Sequence, residues 1–169
     1  IGLSLPTGSN EKTDDVLTPM GMTPTLRLPY PMQLGSGTVD ALPGVTYTGH
    51  ADKIAWGAQF QSTIRLGENE EDYTLGNVYK TTAWASYAWA DWISTSFRLA
   101  AETTGKIDGI DAAIVAPVQT ANPDFQGGTR MDALFGVNLL GQQGHLAGHR
   151  LALEGGVPIS QDLNGPQMK

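Results

Sequence analysis

The stretch "WGAQFQSTIRLG", Trp56–Gly67, alternates with almost no error. Trp56, Ala58, Phe60, Ser62, Ile64 and Leu66 form one set, and Gly57, Gln59, Gln61, Thr63, Arg65 and Gly67 the other. A period of two describes a strand with one apolar and one polar face. The stretch is also long, since about five or six residues is usual for a strand in a soluble domain. The fold therefore turns on which solvent lies against each face.

The same pattern recurs along the chain. A strand stub is expected over Ile1–Leu5, and strands over Val39–Thr48, Ile54–Leu66, Val78–Ala90, Trp92–Thr104, Arg130–Leu140 and His149–Ile159. Pro43 marks an irregularity or edge in the second of these. In Trp92–Thr104, Ile93, Thr95, Phe97, Leu99 and Ala101 oppose Ser94, Ser96, Arg98, Ala100 and Glu102. In Arg130–Leu140, Ala133, Phe135, Val137 and Leu139 oppose Arg130, Asp132, Leu134, Gly136 and Asn138. In His149–Ile159, Leu151, Leu153 and Val157 oppose Arg150, Ala152, Glu154 and Gly156.

Long and short connections alternate. Long loops are expected at Pro6–Gly37, Gly67–Asn77 and Gly105–Thr129, with a further loop beginning near Ser160. Tight connections are expected at Gly49–Lys53, Trp89–Trp92 and Gly141–His149. An antiparallel up-and-down meander produces this alternation when its two ends face different compartments. Little of the chain has a 3.6-residue period, and the 21 Gly favour turns and close-packed strands.

Composition narrows the function classes. The 169 residues suffice for one domain, with a formal net charge of -7 that argues against a polyanionic partner such as nucleic acid. The absence of Cys removes disulfides, thiolate metal sites and cysteine nucleophiles. No run of about 18 apolar residues is present, which leaves open a membrane barrel written in alternating strands.

Three features favour a transmembrane β-barrel over a soluble sandwich. The strands match or exceed the roughly 9–11 residues needed to cross a bilayer on a tilt. Trp56, Trp89 and Trp92 cluster toward the short-turn end, as an interfacial aromatic belt requires. The polar face mixes Arg with Glu and Asp but has no Lys stripe of the kind that defends soluble sheet edges. On this reading Gln59, Gln61, Arg65, Arg98, Glu102, Asp132, Asn138, Arg150 and Glu154 line the lumen. Six full strands and a stub are too few to close a barrel, so the single domain at 1–169 is expected to be incomplete at both ends. Its N-terminus likewise reads as the end of a strand entering a loop.

Several segments carry a family likeness: "LSLPTGS" at Leu3–Ser9, "LPYPMQLGSGT" at Leu28–Thr38, "DALPGVTYTG" at Asp40–Gly49, "WGAQFQSTIRLGEN" at Trp56–Asn69, "NPDFQGG" at Asn122–Gly128 and "GHRLALEGGVPISQDLNGPQ" at Gly148–Gln167. In order and spacing they resemble the bacterial outer-membrane transporter family of the phenol-degradation MetA-pathway type, a porin-like β-barrel group. The resemblance implies a lipid-embedded barrel in the bacterial outer membrane that passes small solutes. It also implies that this chain corresponds to the C-terminal portion without the closing strand. Partners would be the bilayer, the solute, and either the remaining strands of a longer barrel or further copies of the chain.

Other chemistry is poorly supplied. His50, His145 and His149 fall in or beside turns and read as structural. Met20, Met22 and Met32 could offer soft thioethers to Cu(I), but loop or plug packing suits them better. Glu68, Glu70, Glu71 and Asp72 lack calcium-loop spacing and read as a solvated acidic loop. There is no GxSxG elbow and no phosphate-binding glycine loop. Glu102 and Glu154 could make a glycosidase pair, but lumen ion pairing with Arg65, Arg98 and Arg150 is the simpler reading. No enzymatic activity, cofactor or metal is expected. The alternatives are a soluble or surface β-sandwich binding a ligand such as carbohydrate on its aromatic face, and a structural envelope barrel that passes nothing.

Overall fold

The computed structural model describes residues 1–18, 20–115 and 118–165. The end of the last resembling segment, residues 166–167, lies outside them. The strands in chain order are β1 (Gly2–Ser4), β2 (Thr13–Asp15), β3 (Thr25–Arg27), β4 (Val39–Leu42), β5 (Gly44–Ala51), β6 (Ile54–Leu66), β7 (Tyr73–Thr74), β8 (Val78–Ala90), β9 (Ile93–Thr104), β10 (Asp108–Gly109), β11 (Gly128–Leu140) and β12 (Arg150–Leu163). Among the described residues strand accounts for 56% and there is no α-helix, which makes the fold all-β.

The principal sheet is an antiparallel meander in the order β1-β4-β6-β8-β9-β11-β12, with β5 paired to β6 beyond β4. β4 and β5 are one strand interrupted at Pro43, whose carbonyl still accepts from the Ser62 N–H. The register runs through the break: Ala41 faces Ile64 and Gly44 faces Gln61. Asp52, in the left-handed region at φ 49, turns β5 into β6, and Asp91–Trp92 turns β8 into β9. A bulge at Trp89 lets Ala88 face Ser94 while Ala90 faces Ile93. A second bulge leaves Ile159 as the extra residue between Pro158 and Ser160. The last strand continues to Leu163, so the loop expected near Ser160 begins later.

One expectation changes. The long first loop is not featureless, because β2 and β3 form a small hairpin within it, and β7 pairs with β10 across the other two long loops. The principal sheet does not close on itself. Among the described residues β12 pairs only with β11, and neither β1 nor β5 pairs with it. The backbone groups that closure would satisfy are thus left at two open edges.

The faces are distributed in an unusual way. Along β8, Thr82, Trp84, Ser86 and Ala88 are partly sheltered, while Tyr79, Thr81, Ala83, Ala85 and Tyr87 are exposed, as is Lys80 at the loop end of the Thr82 face. On that same face Arg98 reaches across β11 to Glu154 and one groove is bordered by residues of β6, β8, β9 and β11, which puts the Thr82–Trp84–Ser86 face on the inside of the curl. The apolar face lies outside: Trp56, Phe60, Phe97, Leu99, Phe135, Leu153 and Val157 are all exposed. Among the described residues the one buried apolar cluster is Tyr30, Tyr73 and Ile107, and it lies among the long loops.

Candidate functional site

Register brings the polar residues of the concave face into rows. Gln61, Lys80, Glu102, Arg130 and Gln161 stand opposite one another across β6, β8, β9, β11 and β12. The next row toward the short turns is Gln59, Thr82, Ala100, Asp132 and Pro158. The row after that is Gly57, Trp84, Arg98, Leu134 and Gly156. Such rows follow because side chains of one parity share a face and antiparallel pairing sets them level.

Charges on this face are neutralised locally. Lys80 Nζ lies 2.9 Å from Glu102. Arg130 Nε donates to Asp132 Oδ1 at 2.9 Å along its own strand. Arg98 Nε donates to Glu154 Oε1 at 3.0 Å, reaching over β11 to do so. Arg150 Nε donates to the Asn138 amide oxygen at 3.2 Å instead of to a carboxylate. Gln59 donates to Thr46 Oγ1 at 3.0 Å. Glu102 and Glu154 are therefore each engaged by a cation and do not form a carboxylate dyad. Gln59, Gln61, Lys80, Thr82, Arg98, Glu102 and Asp132 border a groove of about 260 Å³. Lys80 was not foreseen as a member; it shares the parity of Gln61, but only the β6–β8 register puts it opposite.

Arg65 has a different setting. It pairs with Asp40, which also accepts from Thr38 Oγ1 at 2.6 Å, and both charged side chains are largely buried. Above them the three long loops knit into a cap. Tyr30 and Tyr73 meet edge-on with centroids 5.0 Å apart, and Leu75 and Ile114 pack against their cluster. Arg27 donates to Asp111 at 3.2 Å and to Glu71 at 3.4 Å, while the Asp111 N–H donates to the Tyr30 hydroxyl at 3.1 Å. The Asn69 amide oxygen accepts from the Glu71 and Tyr73 N–H groups, and its nitrogen donates to the Ser36 carbonyl. Burial raises the pKa of both Tyr30 and Tyr73, opposed by the Asp111 N–H bond to Tyr30 and by the Asn10 and Asn69 side chains at Tyr73, with a smaller upward push from the Asp111 carboxylate on each. Sequence patterns could not have found this cap, because its members are scattered through non-periodic loops.

Trp56, Trp89 and Trp92 stand on the outer surface near the short turns. Trp56 lies across Gly49, where an added Cβ would come 2.6 Å from the indole. Trp89 donates to Thr95 Oγ1 at 3.0 Å and meets Tyr87 edge-on at 4.7 Å. Trp92 occupies the two-residue turn and is exposed. At the other end of the same face Tyr79 stacks with Phe60 at 6.5 Å. Tyr79 and Tyr87 were legible only by carrying strict alternation through β8. His145 sits in a short 3-10 turn and His50 in β5. Among the described residues no group of His, Asp and Glu could hold a metal ion.

No family model, curated protein or solved structure matches the chain. The likeness to the MetA-pathway transporters therefore rests on the quoted segments alone.

Proposed function

We propose that this chain forms wall strands of a β-barrel in the bacterial outer membrane and that small polar solutes pass along its concave face. One observation carries the reading: the face on the inside of the curl is polar and charge-paired, while the outer face is apolar. A water-soluble sheet would be arranged the other way round. In a bilayer the apolar face meets acyl chains and the polar face lines water.

The aromatic positions support it. Tyr79 and Trp89 stand ten positions apart on β8, about 33 Å of strand at roughly 3.3 Å per residue. Tilted by about 40°, that gives roughly 25 Å of height, close to the apolar band between aromatic girdles. The six resembling segments agree with this reading. A soluble sandwich would need a second sheet over Phe97 and Phe135, and among the described residues none covers them.

The decisive experiment is planar-bilayer recording on protein extracted from outer membranes, alongside gel mobility with and without boiling. Stepwise conductance and a faster-running unboiled band are expected. Recovery in the soluble fraction with no mobility shift would overturn the reading. The loop cap favours one second reading, an envelope barrel closed at that end, for which the recording would show membrane residence without current.

A further inference from the structure

Resting on the channel reading, we infer that the groove midway along the concave face is a binding site for a neutral polyhydroxylated solute of monosaccharide size. Its volume of about 260 Å³ falls just below the roughly 300 Å³ at which drug-sized pockets begin, which suits a small solute.

The chemistry of the lining selects the class. The groove holds two cations, Lys80 and Arg98, and two carboxylates, Glu102 and Asp132. Every one of these four has an opposite charge already in contact. A charged solute would have to displace one of these contacts or leave its own charge uncompensated. A neutral solute meets no such obstacle.

Hydrogen-bonding capacity nonetheless remains, of both signs. The Gln61 side chain, unlike its backbone in the ladder, has no hydrogen-bond partner among the described residues, so its amide offers two donors and a carbonyl acceptor. Gln59 uses its nitrogen on Thr46, leaving its carbonyl oxygen. Lys80 engages one carboxylate oxygen of Glu102 and keeps further N–H donors. The second oxygens of Glu102 and Asp132 remain acceptors. A hydroxyl both donates and accepts, so a polyol can satisfy a mixed set of this kind where a purely cationic or anionic group cannot.

One row toward the short turns, Trp84 extends the site. It lies over Gly57, where a Cβ would come within 2.3 Å of the indole, so the missing side chain lets the ring lie against the sheet. Trp84 stands opposite Arg98 and two positions from Thr82, both of which line the groove. A flattened indole beside hydrogen-bonding groups suits a sugar ring, which presents C–H bonds on one face and hydroxyls at its rim.

The test uses the purified full chain in planar bilayers, with glucose, glucuronate and glucosamine as probes of one pyranose skeleton and three charges. Glucose should reduce the ion current saturably, and the two charged analogues should half-saturate at concentrations about tenfold higher or more. Gln61→Leu should weaken glucose about fivefold, the scale of one hydrogen bond, with Gln61→Glu as a second variant of similar shape. A current reduced equally by all three sugars without saturation would overturn the binding site while leaving the channel. Glucose binding is read independently in detergent as a change in tryptophan fluorescence that Trp84→Phe abolishes. That signal without any current would keep the groove assignment and overturn the channel. Neither signal would overturn both.

Discussion

Phe97 offers the sharpest test of which solvent meets the apolar face. It lies near the middle of β9, opposite Ala85 and Phe135, and is 50% exposed. In water, Phe97→Arg at such a position should cost within about 0.5 kcal/mol, since the arginine stem can cover the same surface with its head in solvent. In lipid the guanidinium would lie near the bilayer midplane, where Arg costs about 2–4 kcal/mol in barrels. Taking about 3 kcal/mol and a urea slope of about 2 kcal/mol per molar, the unfolding midpoint should fall by about 1.5 M. The assay is urea unfolding from lipid vesicles followed by tryptophan fluorescence. Gln61→Arg, on the concave face, is the control and should move the midpoint by less than about 0.5 M. Equal, small shifts for both variants in vesicles would refute the assignment of the apolar face to lipid.

Three further outcomes follow from the cap and the Trp84 contact. Asp40→Ala leaves Arg65 largely buried without its partner and should cost about 3 kcal/mol, near the low end for buried pairs because Arg65 keeps 15% side-chain exposure; protease cleavage in the loops at 67–77 and 105–127 should rise first. Gly57→Ala places a methyl 2.3 Å from the Trp84 ring and should displace it, with a loss of near-ultraviolet circular dichroism and a cost of about 1 kcal/mol because the ring can swing toward open space. Tyr30 and Tyr73 have raised pKa values, so the stability they contribute is full below pH 10.0, their ordinary value, and is lost as pH rises through the raised values. Loop cleavage should therefore increase only above about pH 10, and cap loss at neutral pH would contradict the burial argument.

Much of the sheet is legible because its two faces differ chemically and parity is a local signal. β6 and β8 begin and end where alternation places them, and the assigned faces of β9, β11 and β12 agree with the register. Parity does not determine which residues meet. Glu154 reaches Arg98 only because the sheet curls across β11, and Arg150 turns to Asn138 because no carboxylate stands opposite it in that row. Lys80 escaped notice for the related reason that pairing partners depend on register. Bulges hide from local reading as well: Trp89 and Ile159 break alternation without a Gly or an irregular residue of their own to mark it. The cap is the least legible part. Tyr30, Tyr73 and Ile107 come from three loops with no period, and the burial of Asp40 and Asp111 depends on arginines distant in sequence.

The open edges connect the fold to its environment. β12 presents 14 residues whose outward N–H and C=O groups have no strand beside them among the described residues. Water can satisfy such groups, but hydrocarbon cannot, at several kcal/mol for each one. β12 carries Pro158 and, on its concave face, Arg150 and Glu154, but its outer face is apolar, with Leu151, Leu153 and Val157 exposed. The membrane reading therefore requires a strand against β12, whether from more of the same polypeptide or from another copy. Hydrogen exchange in native membranes measures this directly. Under the barrel reading the outward amides of β12 exchange as slowly as those of central β9. Rapid exchange of alternate β12 amides in the membrane would mean the edge is wet, and the proposal of a lipid-embedded wall would fail with it.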